Sequence, residues 1–262
     1  MEVIIRPTAD AAALLTARLI ARMLQGKPQL VLGLATGRTM EHVYAELVRR
    51  HRVGGLDFSL CRSFNLDEYV GLAPEHPDSY CQYMNRHLFQ HVNIDPRNTH
   101  VLNGTAPDLG AECERFERLI RECGGIDLQL LGIGTDGHIG FNEPLSALLS
   151  RTREKALTPA TRAQNASMFG GDASRVPARA LTMGVGTIQE SRRCLLLVTG
   201  ADKAAILARA VEGPITAMVT GSALQLHPRC TAIIDEAAAT DLRGTDYYRW
   251  VFATEPEWAE FR

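Results

Sequence analysis

Between Thr8 and Gly26 the apolar positions Ala12, Leu15, Leu19, Ile20 and Met23 return at the spacing of one helical face. Thr8 offers a hydroxyl to cap the start and Gly26 a residue that ends it, so an amphipathic helix with one buried face is expected here. Residues 1–7 ahead of it read as a short strand. An apolar run at 29–35 follows, closed by Thr36-Gly37-Arg38-Thr39, after which Tyr44, Leu47 and Val48 resume the helical period. The order strand, loop, helix then repeats. Strands are expected at 60–65, 100–102, 128–132, 194–198 and 230–234, and helices at 79–89, 111–122 and 203–211, before a polar, aromatic tail.

Nearly continuous apolar strands alternating with helices imply strands buried on both faces, hence an α/β fold with a mostly parallel sheet and helices on both sides. No repeat, low-complexity tract or Pro/Gly/Ser linker divides the chain, so residues 1–262 are expected to form a single domain, Rossmann-like in arrangement. Chemistry in such sheets gathers at the carboxyl ends of the strands. That rule selects the loops after Leu34, Phe64, Leu131 and Val198.

Composition narrows the partners. A formal net charge of −2 with no long Lys/Arg block argues against nucleic acid, and no stretch approaches the roughly 18 apolar residues of a membrane span. Cytoplasm is the expected location. The six cysteines show no CxxC pair and no matching His spacing for zinc, so they read as reduced, buried hydrophobes.

The densest candidate loop is 132–144, where glycines permit tight turns and Asp136, His138 and Glu143 are the titratable groups. A carboxylate beside an imidazole fixes its tautomer, which suits His138 to proton transfer near neutral pH. The same trio could furnish metal ligands, but the glycines do not pre-orient a ligand set and no His pair at helical spacing supports one; no metal and no cofactor are expected. The loop at 64–72 carries Asp67 and Glu68, placing a carboxylate base across a crevice from the imidazole. Residues 33–39 join a strand to a helix through backbone amides and two hydroxyls, a phosphate site by mechanism, with Thr36, Gly37, Arg38 and Thr39 as its members. Lys203, at a later helix start, can add a cation to the same anion.

The runs Leu66-Asp67-Glu68-Tyr69-Val70-Gly71-Leu72 and Gly134-Thr135-Asp136-Gly137-His138-Ile139-Gly140-Phe141-Asn142-Glu143-Pro144 resemble the glucosamine-6-phosphate deaminase (isomerase) family. The resemblance continues through 180–187 and 224–228 and spans almost the whole chain. It implies that Asp67 moves a proton between sugar carbons C2 and C1, and that His138, oriented by Asp136 and Glu143, opens the pyranose ring. It also implies that residues 36–39 and Lys203 hold the phosphate of an amino-sugar phosphate, and that the product is fructose 6-phosphate with ammonia, formed without a cofactor.

Two departures stand out. Ser167 occupies a position where typical members carry an arginine, and Arg38 stands where a small residue is usual; the loop prolines are also missing at Ala35 and Met40. Some bacterial members are allosteric hexamers, which implies a homo-oligomer, and Ser146, Arg153 and Lys155 match that regulatory region whereas Ala147 and Ala156 do not. The competing readings are a deaminase for another hexosamine 6-phosphate such as galactosamine 6-phosphate, a 6-phosphogluconolactonase-like hydrolase, and a sugar-phosphate sensor. A sensor should carry an attached DNA-binding helix pair and need not keep the acid–base set.

Overall fold

The computed structural model describes residues 1–262. The chain runs β1 (Glu2–Arg6), α1 (Ala9–Gly26), β2 (Val31–Leu34), α2 (Arg38–Gly54), β3 (Arg62–Asn65), β4 (Asp67–Tyr69), α3 (Tyr80–His87), β5 (Thr99–His100), α4 (Leu109–Glu122) and β6 (Leu128–Leu131). It continues through β7 (Arg153–Ala156), α5 (Pro159–Asn165), β8 (Arg179–Thr182), α6 (Val185–Gln189), β9 (Cys194–Val198), α7 (Ala204–Val211), β10 (Cys230–Asp235) and α8 (Thr245–Thr254). The cap at the first helix is as expected: Thr8 Oγ1 accepts from Ala11 N at 3.1 Å.

Seven strands form one sheet in the order β1-β10-β9-β6-β2-β3-β5, and every pairing in it is parallel. The central strands β2, β6, β9 and β10 are buried along their whole length, as the unbroken apolar runs require. From β1 the chain moves one way across the sheet to β2, β3 and β5, then returns to place β6, β9 and β10 on the other side of β2. Right-handed crossovers put the helices of these two directions on opposite faces. The reversal falls between β2 and β6, so the loops leaving those strands diverge and open a crevice at their carboxyl ends.

The structure adds a second sheet of three antiparallel strands, β4-β8-β7, which corrects the expected loop at 64–72: Asp67 to Tyr69 is a strand. It also corrects how Asp67 meets the His138 loop. In the large sheet β2 lies between β3 and β6, so strand order does not make those loops neighbours. The contact runs through β8. Thr182 pairs with Asp67 in the register, and its Oγ1 accepts from Phe141 N at 3.0 Å. The polar, aromatic tail is helical in α8 and then buries Trp258 completely. All six cysteines are unpaired and four are buried.

Candidate active site

Residues 132–144 leave β6 at the reversal and fold back on themselves, Gly134 N donating to His138 O at 2.9 Å. The imidazole lies flat on Gly134, where an added Cβ would fall 2.3 Å from the ring. Only glycine permits this approach. Asp136 Oδ1 accepts from His138 N at 3.1 Å and also lies 2.7 Å from Nδ1, while Glu143 Oε2 stands 3.8 Å from the same nitrogen. Neither carboxylate lies in line with the ring N–H, so Nδ1 has close anions but no formal hydrogen bond. Burial alone would raise the Asp136 carboxyl; the short contact with the His138 ring and the hydrogen bond from the His138 backbone N–H outweigh it and hold the group down at about 2. Glu143 is itself fixed, accepting from Thr158 N at 3.1 Å and Thr158 Oγ1 at 3.3 Å.

The ligand atoms of Asp136, His138 and Glu143 lie within 4.8 Å of one another, so a divalent ion is the alternative occupant of this cluster. Both oxygens of Glu143 and the near oxygen of Asp136 already accept protein N–H or O–H groups. A set bonded this way favours orienting an imidazole over binding an ion.

Asp67 approaches from the opposite wall. The residue is 6% exposed, and no hydrogen bond to the protein lowers its pKa. Burial, assisted by the neighbouring Glu68, pushes that pKa from 3.8 up to about 8. Glu68 turns away from the crevice, accepting from Tyr69 N, Tyr80 N and Cys81 N at 2.8 to 3.0 Å. It therefore fixes the start of α3 against β4, with burial raising it to about 7 despite three N–H donors. Tyr80 stacks on Phe141 with ring centroids 6.0 Å apart, and its hydroxyl lies 3.2 Å from that of Tyr69. An aromatic layer thus joins α3, β4 and the His138 loop.

The third wall begins at Gly37, whose φ of +112° suits glycine and which caps α2 with no side chain of its own. Tyr83 Oη donates to Gly37 O at 2.7 Å and Tyr44 Oη donates to Ala35 O, so the carbonyls of this turn are engaged from behind. The first turn of α2 is left facing the crevice, where its amides and dipole favour an anion. Lys203 sits in the short turn before α7, which Asp235 anchors by accepting from Gly200 N at 3.0 Å. No carboxylate lies within ion-pair distance of Lys203; burial lowers its pKa, with Asp202 and Asp136 opposing. Arg38 is exposed and equally free of a carboxylate partner.

Thr36, Gly37, Arg38, Thr39, Asp67, His138, Ser167 and Lys203 all line one crevice of about 390 Å³, a size suited to a small metabolite. Asp136 and Glu143 stand behind His138. Ser146, Arg153 and Lys155 lie elsewhere: Ser146 is buried, and Arg153 reaches the site only indirectly, donating to Asn142 Oδ1 at 2.9 Å. The sequence pairs Glu68 with Asp67 in the 64–72 loop but gives no role to Thr182, Thr158, Gln164 and Asn165. The Thr158-Pro159 pair was the available signal, being a cap residue followed by a proline suited to the first helical turn.

Fold and crevice define the class: a doubly wound α/β enzyme with its site at the point where strand order reverses. A family model for glucosamine-6-phosphate isomerases/6-phosphogluconolactonase matches residues 6–226, and the chain belongs to that family. It is 50% identical over 258 residues to the glucosamine-6-phosphate deaminase of Arthrobacter sp. (strain FB24), covering 98% of this chain and 99% of that protein. The deaminase of Hahella chejuensis is 49% identical over 96% of this chain and 95% of its own length. A solved monomeric glucosamine-6-phosphate deaminase superposes with a TM-score of 0.90 at 44% identity, over 92% of this chain and 100% of that one. The 6-phosphogluconolactonase of Trypanosoma cruzi, at 18% identity and a TM-score of 0.73, shares the fold.

Proposed function

We propose that this protein isomerises and deaminates glucosamine 6-phosphate, giving fructose 6-phosphate and ammonia. One observation carries the reading: a buried carboxyl without a partner, Asp67, shares a crevice with an imidazole held between two carboxylates, beside a helix start and a free lysine that suit a phosphate. The end-to-end identity with deaminases supports it over the lactonase reading, whose solved representatives share only the fold.

The roles follow from the placement. The sugar phosphate binds with its anion at residues 36–39 and Lys203, which orients the other end toward Asp67 and His138. His138, held beside its two carboxylate neighbours, relays a proton to the ring oxygen as the anomeric hydroxyl loses its own, and the pyranose opens to the aldehyde. Asp67 in its ionised form takes the C2 proton and returns one to C1. The carbon skeleton is then a ketose-level imine, and addition of water with loss of ammonia leaves the ketose. No step requires an ion or an organic cofactor.

Lys203→Ala should raise KM for glucosamine 6-phosphate by about 10- to 100-fold, the effect of removing a charge-assisted hydrogen bond. Arg38→Ala should raise it only a few-fold, since that side chain is exposed. We assign Arg38 to the phosphate as partial compensation for serine at position 167, which lines the same crevice without a charge. Steady-state kinetics on the two variants checks both: an unchanged KM in Arg38→Ala beside a raised one in Lys203→Ala removes Arg38 from the phosphate site.

No helix is long and apolar enough to cross a membrane. We place the enzyme in the cytoplasm, in keeping with its unpaired cysteines. The assembly we propose is a homo-oligomer, supported by Leu145, 75% exposed just before the 146–155 segment, and Leu149, 88% exposed within it. Ser146, Arg153 and Lys155 stay as that segment's proposed effector residues. Sedimentation at the mass of one chain would set the protein with the solved monomeric deaminase instead.

A further inference from the structure

Three side chains fasten α5 over the crevice. Thr158, which caps the helix by accepting from Thr161 N at 3.2 Å, gives its own N–H to Glu143 Oε1 at 3.1 Å. Gln164 Oε1 accepts from both Thr135 N at 3.0 Å and Thr135 Oγ1 at 2.9 Å. Asn165 Nδ2 donates to Tyr69 Oη at 3.1 Å. Adjacent residues of one helix thus reach opposite walls, Gln164 the loop that carries His138 and Asn165 the strand that carries Asp67. Gln164, Asn165, Ser167 and Met168 line the crevice from this side. The far end of the segment is Gly170-Gly171, with φ of +69° and +84°, a region that glycine adopts without strain.

We propose that Gln164 is a positioning residue that ties α5 to the His138 loop and so holds this wall of the crevice in place for the sugar phosphate; this rests on the deaminase reading above. The latch uses only the acceptor of the amide, because Oε1 takes both bonds while Nε2 makes none. Its chemistry therefore separates two substitutions of similar size. Gln164→Leu removes the acceptor, whereas Gln164→Glu keeps one in the same place. An added carboxylate also repels phosphate, so rescue by glutamate is read on amide exchange rather than on KM.

Hydrogen exchange followed by mass spectrometry on the whole protein, with peptides covering residues 133–138, tests the latch without any need for turnover. Exchange in Gln164→Leu should quicken by about two- to tenfold, as expected for the loss of one or two neutral hydrogen bonds, and return to the wild-type rate in Gln164→Glu. In parallel, Gln164→Leu should raise KM for glucosamine 6-phosphate by about three- to tenfold with kcat within about twofold, since Asp67 and His138 keep their own supports. Wild-type exchange in Gln164→Leu, or an unchanged KM in that variant, overturns the latch. A wild-type protein that fails to deaminate glucosamine 6-phosphate overturns the proposed function, and the exchange comparison still decides the latch.

Discussion

Asp67→Asn is expected to lower kcat for glucosamine 6-phosphate by roughly 10²- to 10⁴-fold, the range that a positioned general base supplies. The amide has the carboxyl's shape but cannot take the C2 proton, so KM should change far less than kcat. In the wild type the base must be ionised. With the carboxyl raised to about 8 by burial, kcat/KM should climb with pH up to that value and level off above it. Stability runs the other way. A carboxyl whose folded pKa exceeds its unfolded one binds more protons in the folded state, so its contribution is full below about pH 4 and is lost as pH rises toward 8. Asp67→Asn should therefore gain melting temperature over the wild type at pH 8 and lose that advantage at pH 4. A variant less stable than the wild type at pH 8 would show that Asp67 is held by contacts other than those described.

His138→Gln should reduce turnover of the cyclic substrate by about 10²- to 10³-fold, because an amide can fill the space over Gly134 but cannot carry a proton to the ring oxygen. An analogue lacking both the C4 and C5 hydroxyls, which cannot close to a furanose or a pyranose, bypasses that step and should lose much less. Equal losses on the two substrates would move His138 from ring opening to the later proton transfers. The substitution also takes the imidazole away from Asp136 and Glu143. The Asp136 carboxyl, held at about 2 beside His138, should titrate closer to the ordinary range once the imidazole is gone.

The large sheet was legible because its central strands are mostly apolar: Val31–Leu34, Leu128–Leu131, Cys194–Val198 and Cys230–Asp235 are buried at every position. The small sheet was not. Arg153–Ala156 is a charged strand with no buried residue, and Asp67–Tyr69 is three residues long and buried throughout despite two acids, so neither shows a hydrophobic period. Their pairing through β8 is a long-range event that local pattern cannot announce. The same holds for the site. Asp136, His138 and Glu143 are close in sequence and could be read together, whereas Asp67 is brought against Gly140 of their loop by the pairing of β4 with β8. Burial of Asp67, which gives it a base's pKa, depends on that meeting. Trp258 was hidden for a different reason: its short, polar surroundings read as tail, and α8 supplies only Val251 as a buried residue.

The central claim is the reaction, and the most direct measurement of it is release of ammonia together with fructose 6-phosphate from the purified wild-type protein. Glucosamine 6-phosphate, galactosamine 6-phosphate and 6-phosphogluconolactone should be offered side by side, with chelator present throughout. The account predicts equimolar ammonia and fructose 6-phosphate from glucosamine 6-phosphate at the highest kcat/KM of the three, unaffected by the chelator, and no hydrolysis of the lactone above its spontaneous rate. Hydrolysis of the lactone without ammonia from either amino sugar would contradict it.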